Sequence, residues 1–344
     1  MSQLRKDLIS GRWVIIASER SKRPDDFRSS AEPQPEKPDA FCPFCAGNES
    51  KTPPEVYSLR REGTRPDQDG WSVRVVPNKF PALERGERTE RQHEGLFEAM
   101  SGVGVHEVVI ETPEHGTELC DLPQPHLTDV LETFRRRIIS IEKEEQYQYV
   151  QLFKNKGRAA GASLSHPHSQ IVATPIIPKR IKEELYSAER LFKKHQSCIF
   201  CRIIEQEMAL GRRIIHTDAH FCVMVPFASR FPFELQVFPL RHSAHLADML
   251  PEETSSLAAA LKDVLSKIKG LLSDPPYNLV LHQAPSPSLS RGEWPGISKN
   301  YHWHLEIMPV LTRVAGFELG TGFYINPVPP EAAAGFLLGS KAGG

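Results

Sequence analysis

The densest chemistry in the chain sits in His166-Pro167-His168-Ser169-Gln170. In extended backbone, side chains alternate between faces, so His166, His168 and Gln170 share one face and Pro167 and Ser169 the other. Two imidazoles and an amide on one face, just after Gly161-Ala162-Ser163, suit chemistry at phosphorus. An imidazole with a pKa of about 6.5 is largely neutral at pH 7 and nucleophilic. The spacing alone is weak, because a chain with 14 histidines makes a chance His-x-His common.

The cysteines around it strengthen the signal. Four of the six form two Cys-x-x-Cys pairs, Cys42/Cys45 and Cys198/Cys201; Cys120 and Cys222 read as plain small residues. The first half runs Cys42-x-x-Cys45, a strand from Glu107 to His115, then His166-x-His168-x-Gln170. The second runs Cys198-x-x-Cys201, a strand from Glu234 to His242, then His302-x-His304-x-Glu306. In both strands a glutamate precedes the histidine by eight residues. This ordered recurrence predicts two duplicated halves, 1–178 and 179–344.

Two soft thiolates and two imidazoles make a closed tetrahedral zinc shell. Site one is expected from Cys42, Cys45, His115 and His166, and site two from Cys198, Cys201, His242 and His302. A thioredoxin-like redox pair is the alternative for either Cys-x-x-Cys, and His115 and His242 read alternatively as ordinary surface histidines. His245 competes with His242 as the ligand. With His166 and His302 engaged, the second histidine of each motif is free for chemistry. Ligation of its neighbour would fix where His168 points, and a hydrogen bond from its other ring nitrogen to a backbone carbonyl would set the tautomer. Ser163, Gln170, Asn155 and the N–H groups of residues 157–163 are the expected donors to phosphoryl oxygens.

Several elements must position these groups. Short strands are predicted at 12–17, 71–76, 105–111, 147–153, 220–226, 233–239, 277–283, 302–308 and 322–326. Helices are predicted over 128–145, 179–195 and 252–269, with apolar stripes at 130, 131, 134, 138, 141 and at 257, 261, 264, 265, 268. Residues 28–41 read as an exposed linker, and 84–101 as a charged loop. Strands outnumber helices and the connections look antiparallel, which makes the class α+β. The chain of 344 residues is 40% hydrophobic and 25% charged with a net charge of −1, ordinary globular values that argue against nucleic acid as a standing partner. No apolar run approaches the roughly 20 residues of a membrane span, and the first residues lack the apolar core of a signal peptide, so a cytoplasmic protein is expected.

Taken together, these residues resemble the galactose-1-phosphate uridylyltransferase family of the histidine-triad superfamily. The likeness covers most of the chain: Arg12-Trp13-Val14, Arg20-Ser21-Lys22-Arg23-Pro24, Cys42-Pro43-Phe44-Cys45, Asn78-Lys79-Phe80-Pro81, Asn155-Lys156-Gly157 and, most specific, Ser165 to Gln170. The tail 316–327 is also similar to plant relatives described as ADP-glucose phosphorylases. The resemblance implies two histidine-triad-like halves and a ping-pong transfer through a nucleotidyl-histidine on His168. UDP-glucose would donate uridylyl and galactose-1-phosphate accept it; the alternative is adenylyl transfer from ADP-glucose to phosphate. Rival readings are a histidine-triad hydrolase and a zinc-knuckle binding module without activity. The resemblance further implies nucleotide contacts from Arg20, Arg23 and Asn78, phosphoryl contacts from Asn155, Gly161, Ser163 and Gln170, and a hexose site using Phe317 and Glu318 across a homodimer interface. Three features depart from the family pattern. Ser169 stands where glycine is common, and Phe317 where some relatives have an aromatic hydroxyl. Some relatives also bind a second metal through positions matching Glu184, His282, His302 and His304, whereas Cys198 and Cys201 favour zinc on the cysteine set.

Overall fold

A computed structural model describes residues 1–20, 42–86, 89–286 and 294–339, and of Arg20 the backbone only. The early elements are β1 (Gln3–Lys6), β2 (Trp13–Ile16), β3 (Tyr57–Arg60), β4 (Trp71–Pro77), β5 (Arg91–Glu94), β6 (Phe97–Met100) and β7 (Val105–Ile110). Then come α1 (Gln124–Glu142), β8 (Tyr149–Lys156), β9 (His168–Thr174), α2 (Lys179–His195) and α3 (Ile199–Leu210). The next group is β10 (Ile214–Thr217), β11 (Phe221–Met224), β12 (Leu235–Pro239) and α4 (Pro251–Leu271). The chain closes with β13 (Tyr277–His282), α5 (Ile297–Asn300), β14 (His304–Pro309), α6 (Gly316–Thr321), β15 (Tyr324–Asn326) and α7 (Pro330–Leu337). The class is α+β.

One ten-stranded sheet in the order β10-β11-β12-β14-β13-β8-β9-β7-β4-β3 carries the molecule. It reads as two five-strand runs meeting at the antiparallel β13–β8 pair, where Leu279 faces Lys154 and Asn278 faces Asn155. Folding the order at that seam superposes β9 on β14, β7 on β12, β4 on β11 and β3 on β10. Each run has one long helix before its seam strand, α1 before β8 and α4 before β13. Proline near the start of each pre-sets the helical φ.

The apolar stripes expected from spacing are the ones buried: Val130, Leu131, Phe134, Ile138 and Ile141 on α1, and Leu257, Leu261, Val264, Leu265 and Ile268 on α4. Both helices share a core with Ile171, Leu279, Leu281, Leu305 and Ile307 of the sheet. A second cluster joins Ile181, Leu185, Ala188 and Leu191 of α2 to Ile199, Phe200 and Ile204 of α3 and to Met224 and Phe238 of the sheet.

Two local expectations need correction. Residues 84–101 are not only loop: β5 and β6 pair as a hairpin from Arg91↔Met100 to Glu94↔Phe97. Its residues are nearly all exposed, so no burial pattern marks the strands in the sequence. The second Cys-x-x-Cys is no free knuckle either. Cys198 caps α3 and Cys201 lies in its first turn, because Ile199, Phe200 and Ile204 bury one face of a helix. Among the described residues, no helix is long and apolar enough to cross a membrane.

Candidate active site and metal sites

β9 starts at His168 and pairs with β7 on one side, Ile110↔His168 and Val108↔Gln170, and with β8 on the other, Phe153↔Gln170. The nucleophile candidate therefore sits at the first residue of a central strand, where the ladder fixes its backbone. Its ring is buried and packs edge-to-face with Phe44, ring centroids 5.3 Å apart. Nδ1–H of His168 donates to the carbonyl of His166 at 2.7 Å, which leaves the lone pair on Nε2. Burial pushes the His168 pKa down to about 4, with Lys154 adding to it, so the ring is neutral and nucleophilic at pH 7.

One residue earlier in the alternation, His166 turns to the thiols. Cys45 Sγ is 3.5 Å from Nδ1 of both His166 and His115, and Cys42 Sγ is 3.7 Å from Nδ1 of His166. The four donors lie within 4.8 Å of one another. The opposite ring nitrogens are occupied: His166 Nε2–H donates to the Thr112 carbonyl at 2.8 Å, and His115 Nε2 meets Ser165 Oγ at 3.1 Å. Nδ1 of both rings thus faces the sulfurs, the arrangement a tetrahedral ion needs from its outer partners.

The second set repeats it. Cys201 Sγ lies 3.3 Å from His242 Nδ1 and 3.5 Å from His302 Nδ1, and Cys198 completes a set of donors within 4.8 Å. Nε2–H of His302 donates to the Pro239 carbonyl and that of His242 to the Ser298 carbonyl, both at 2.9 Å. The hydrogen bond from Cys201 draws the Cys198 thiol below its usual range. His245 is buried but outside this group. Glu184, His282 and His304 form another group of donors within 4.8 Å. There His282 lies between Glu184 (3.0 Å) and Glu306 (3.2 Å); burial opposes its charge, yet the two carboxylates hold its pKa up at about 9. His282 is engaged by both carboxylates, and His302 already faces the thiols. The residues therefore fit an ion better on the cysteine set.

Around His168 the structure gathers some expected contacts and adds others. Asn155 Oδ1 accepts from Asn278, whose amide also donates to the Ala160 carbonyl, so the turn 157–161 is tied to the end of β8. Gly157 and Gly161 have φ of +80° and +95°, and a Cβ on Gly157 would come within 3.1 Å of Pro276. Ser163 is exposed on the same loop. Asn78 and Gln170 meet through His106, a residue that sequence reading passed over. Ala82 N–H donates to His106 Nδ1, so Nε2 carries the proton and donates to Gln170 Oε1 at 2.8 Å. That fixes the Gln170 amide with its nitrogen as a donor. Asn78 Nδ2 lies 3.1 Å from the same ring. The available signal was a histidine two positions before Val108 in a strand, on the face of Gln170.

Phe317 and Glu318 lie on α6, which packs on β15 of the small β1-β2-β15 sheet. Glu318 Oε2 accepts from Ala315 N–H and so caps its own helix. Arg23 and the side chain of Arg20 lie outside the described residues. A cavity of about 890 Å³ opens in the second half, over His304, Glu306, Arg180, Arg230, Phe200 and Phe238. In that cavity Glu306 already meets Arg180 (2.8 Å), Arg230 (2.7 Å) and His282. His304 is stacked between His282 and Phe238, with centroids at 4.8 and 4.9 Å.

Comparison with known proteins agrees with this geometry. Profiles of the galactose-1-phosphate uridyl transferase family match residues 1–178 (N-terminal domain) and 182–324 (C-terminal domain). An ADP-glucose phosphorylase of Arabidopsis thaliana is 37% identical over 335 residues, 96% of this chain and 91% of the relative. A galactose-1-phosphate uridylyltransferase of Thermotoga maritima is 31% identical over 342 residues, 97% of each. The crystal structure of an Arabidopsis thaliana ADP-glucose phosphorylase with bound ADP-glucose superposes with a TM-score of 0.81 at 34% identity, covering 99% of this chain and 100% of that one.

Proposed function

We propose that this chain, which belongs to the galactose-1-phosphate uridylyltransferase family, transfers a nucleotidyl group from a nucleoside diphosphate hexose through His168. The observation that carries the reading is the His168 ring: buried, neutral, with Nδ1–H donated to the His166 carbonyl and Nε2 left as nucleophile. Nε2 attacks the α-phosphorus, the P–O bond to the β-phosphate breaks, and hexose-1-phosphate leaves with that electron pair. The adduct is an imidazolium whose Nδ1–H stays on the His166 carbonyl, which stabilises its charge. An acceptor phosphate oxygen then attacks the same phosphorus, and His168 leaves as the neutral ring. Gln170, Asn155, Ser163 and the loop N–H groups near Gly161 donate to the phosphoryl oxygens. Arg20, Arg23 and Asn78 hold the nucleotide, and Phe317 and Glu318 the hexose of a partner copy in a homodimer. When bound, zinc at the two Cys₂His₂ sets would serve structure, since four protein ligands leave no open position.

The donor we favour is UDP-glucose with galactose-1-phosphate as acceptor, the activity named for the Thermotoga relative and for the matching family. A second reading, ADP-glucose with inorganic phosphate, is supported by the 37% identity to the Arabidopsis ADP-glucose phosphorylase. Exchange of labelled glucose-1-phosphate into UDP-glucose or ADP-glucose, without acceptor, tests the mechanism and separates the two. Exchange into one of them is expected; exchange into neither contradicts the transfer reading.

A further inference from the structure

Beneath His168, on the face of β9 turned toward α1, lies a group with no counterpart among the described residues of the other half. Lys154 and Glu111 are almost wholly buried, 1% and 0% exposed, and their charged atoms are 2.8 Å apart. Ser169 Oγ–H donates to the other oxygen of Glu111 at 2.6 Å. Lys154 Nζ also lies 3.4 Å from the His168 carbonyl and 3.4 Å from Glu118. Glu111 N–H donates to the Pro167 carbonyl at 3.3 Å. Three neighbouring strands, β8, β9 and β7, are thus cross-tied at the level where His168 begins.

The duplicated half serves as an internal control. Phe153 pairs with Gln170 as Val280 pairs with Glu306, so Lys154 and Ser169 take the places of Leu281 and Leu305. Those two leucines face each other in the apolar core under His304. The sheet therefore forms without ions at this level. Burying an ion pair carries a desolvation penalty that can exceed the pair's attraction, so leucines would serve folding at least as well. The pair is found under the ring that we read as the nucleophile, and not under its stacked counterpart.

We propose that Lys154, Glu111 and Ser169 are positioning residues that hold the His168 backbone so that Nε2 meets phosphorus in line. They touch no substrate; they act through the His168 carbonyl, the 167–169 peptides and the β8–β9–β7 register. The inference rests on His168 being the nucleotidyl carrier. It also accounts for serine at 169, whose hydroxyl anchors the carboxylate that anchors the lysine.

Single-turnover labelling of His168 by nucleotide sugar tests it on the full chain. In Lys154→Leu/Glu111→Leu/Glu118→Gln the lysine and both carboxylates near it go together, so no lone charge stays buried, and the other half carries leucine at the Lys154 position. We expect a folded protein with unchanged KM and a labelling rate down about 10²-fold, the scale of a 1 Å misplacement. Ser169→Ala keeps the ion pair and loses one hydrogen bond; about a 5-fold drop in labelling rate with constant KM is expected. Wild-type labelling rates in both variants would overturn the inference while leaving the transfer reading intact. A rate that falls only in proportion to the unfolded fraction would overturn it too. A wild-type chain that never takes label would overturn the transfer reading, and the inference with it.

Discussion

The two five-strand runs share a scaffold and differ around the second histidine of each His-x-His. Each closes a Cys₂His₂ set over the start of its inner strand, each donates the first histidine's Nε2–H to a carbonyl, and each turns the second histidine's Nδ1 onto the first one's carbonyl, at 2.7 Å for His168 and 3.2 Å for His304. Burial pushes both second rings to a pKa of about 4. Ring acidity therefore does not distinguish a nucleophile from a spectator. The neighbours do: His168 has a neutral amide two residues on and an ion pair beneath, while His304 is sandwiched by rings and faces Glu306 in a knot with Arg180 and Arg230. An anionic phosphoryl group is welcome beside Gln170 and repelled beside Glu306.

Metal loss has the largest expected effect, because structural zinc sites in small domains contribute about 10–16 kcal/mol of apparent binding energy. We expect two zinc ions per chain by elemental analysis, and one each in Cys42→Ser and Cys198→Ser. If the halves are functionally unequal as argued, Cys42→Ser loses His168 labelling, whereas Cys198→Ser loses stability and keeps labelling in the molecules that remain folded. Next is an exchange of the divergent residues. Gln170→Glu should slow nucleotidyl transfer by about 10²-fold in stopped-time assays, since it sets a negative charge where a donor stood. The reverse change, Glu306→Gln, should leave the rate per folded molecule alone and cost about 3–5 kcal/mol in urea unfolding, because Arg180 and Arg230 lose a buried partner. Equal catalytic losses in these two variants would break the comparison.

The smallest effect belongs to the contact between the halves. Burial, with Asp248 adding, raises the carboxyl of Glu142 at the end of α1 from 4.5 to about 7. A raised acid binds its proton more tightly when folded, so stability is greatest below about 4.5 and falls as pH rises toward 7, beyond which the penalty is constant. Glu142→Gln should raise the melting temperature at pH 8 and leave it nearly unchanged at pH 4.5, as read by calorimetry at both values.

Much of the scaffold was legible because burial leaves a period. The stripes of α1, α2 and α4 and the runs in β4, β7 and β11 announced themselves, and both Cys₂His₂ sets followed from ordered repetition. The β5–β6 hairpin was not, since its residues are exposed and carry no alternation. Helix α3 was hidden because its first turn holds the Cys-x-x-Cys that drew a different reading. Lys154 and Glu111 were missed for another reason: a charged residue in a sequence reads as surface, and only the fold shows both charges buried and paired. His106 likewise needed the third dimension, because its partner Gln170 is 64 residues away.

The central claim is that one of two look-alike histidines carries the nucleotide. Trapping the protein with labelled UDP-glucose or ADP-glucose and mapping the acid-labile adduct by mass spectrometry tests it directly. The account predicts one phosphoramidate per chain, on His168, lost in His168→Gly and retained in His304→Gln. Label on His304, on both rings, or on neither would contradict it.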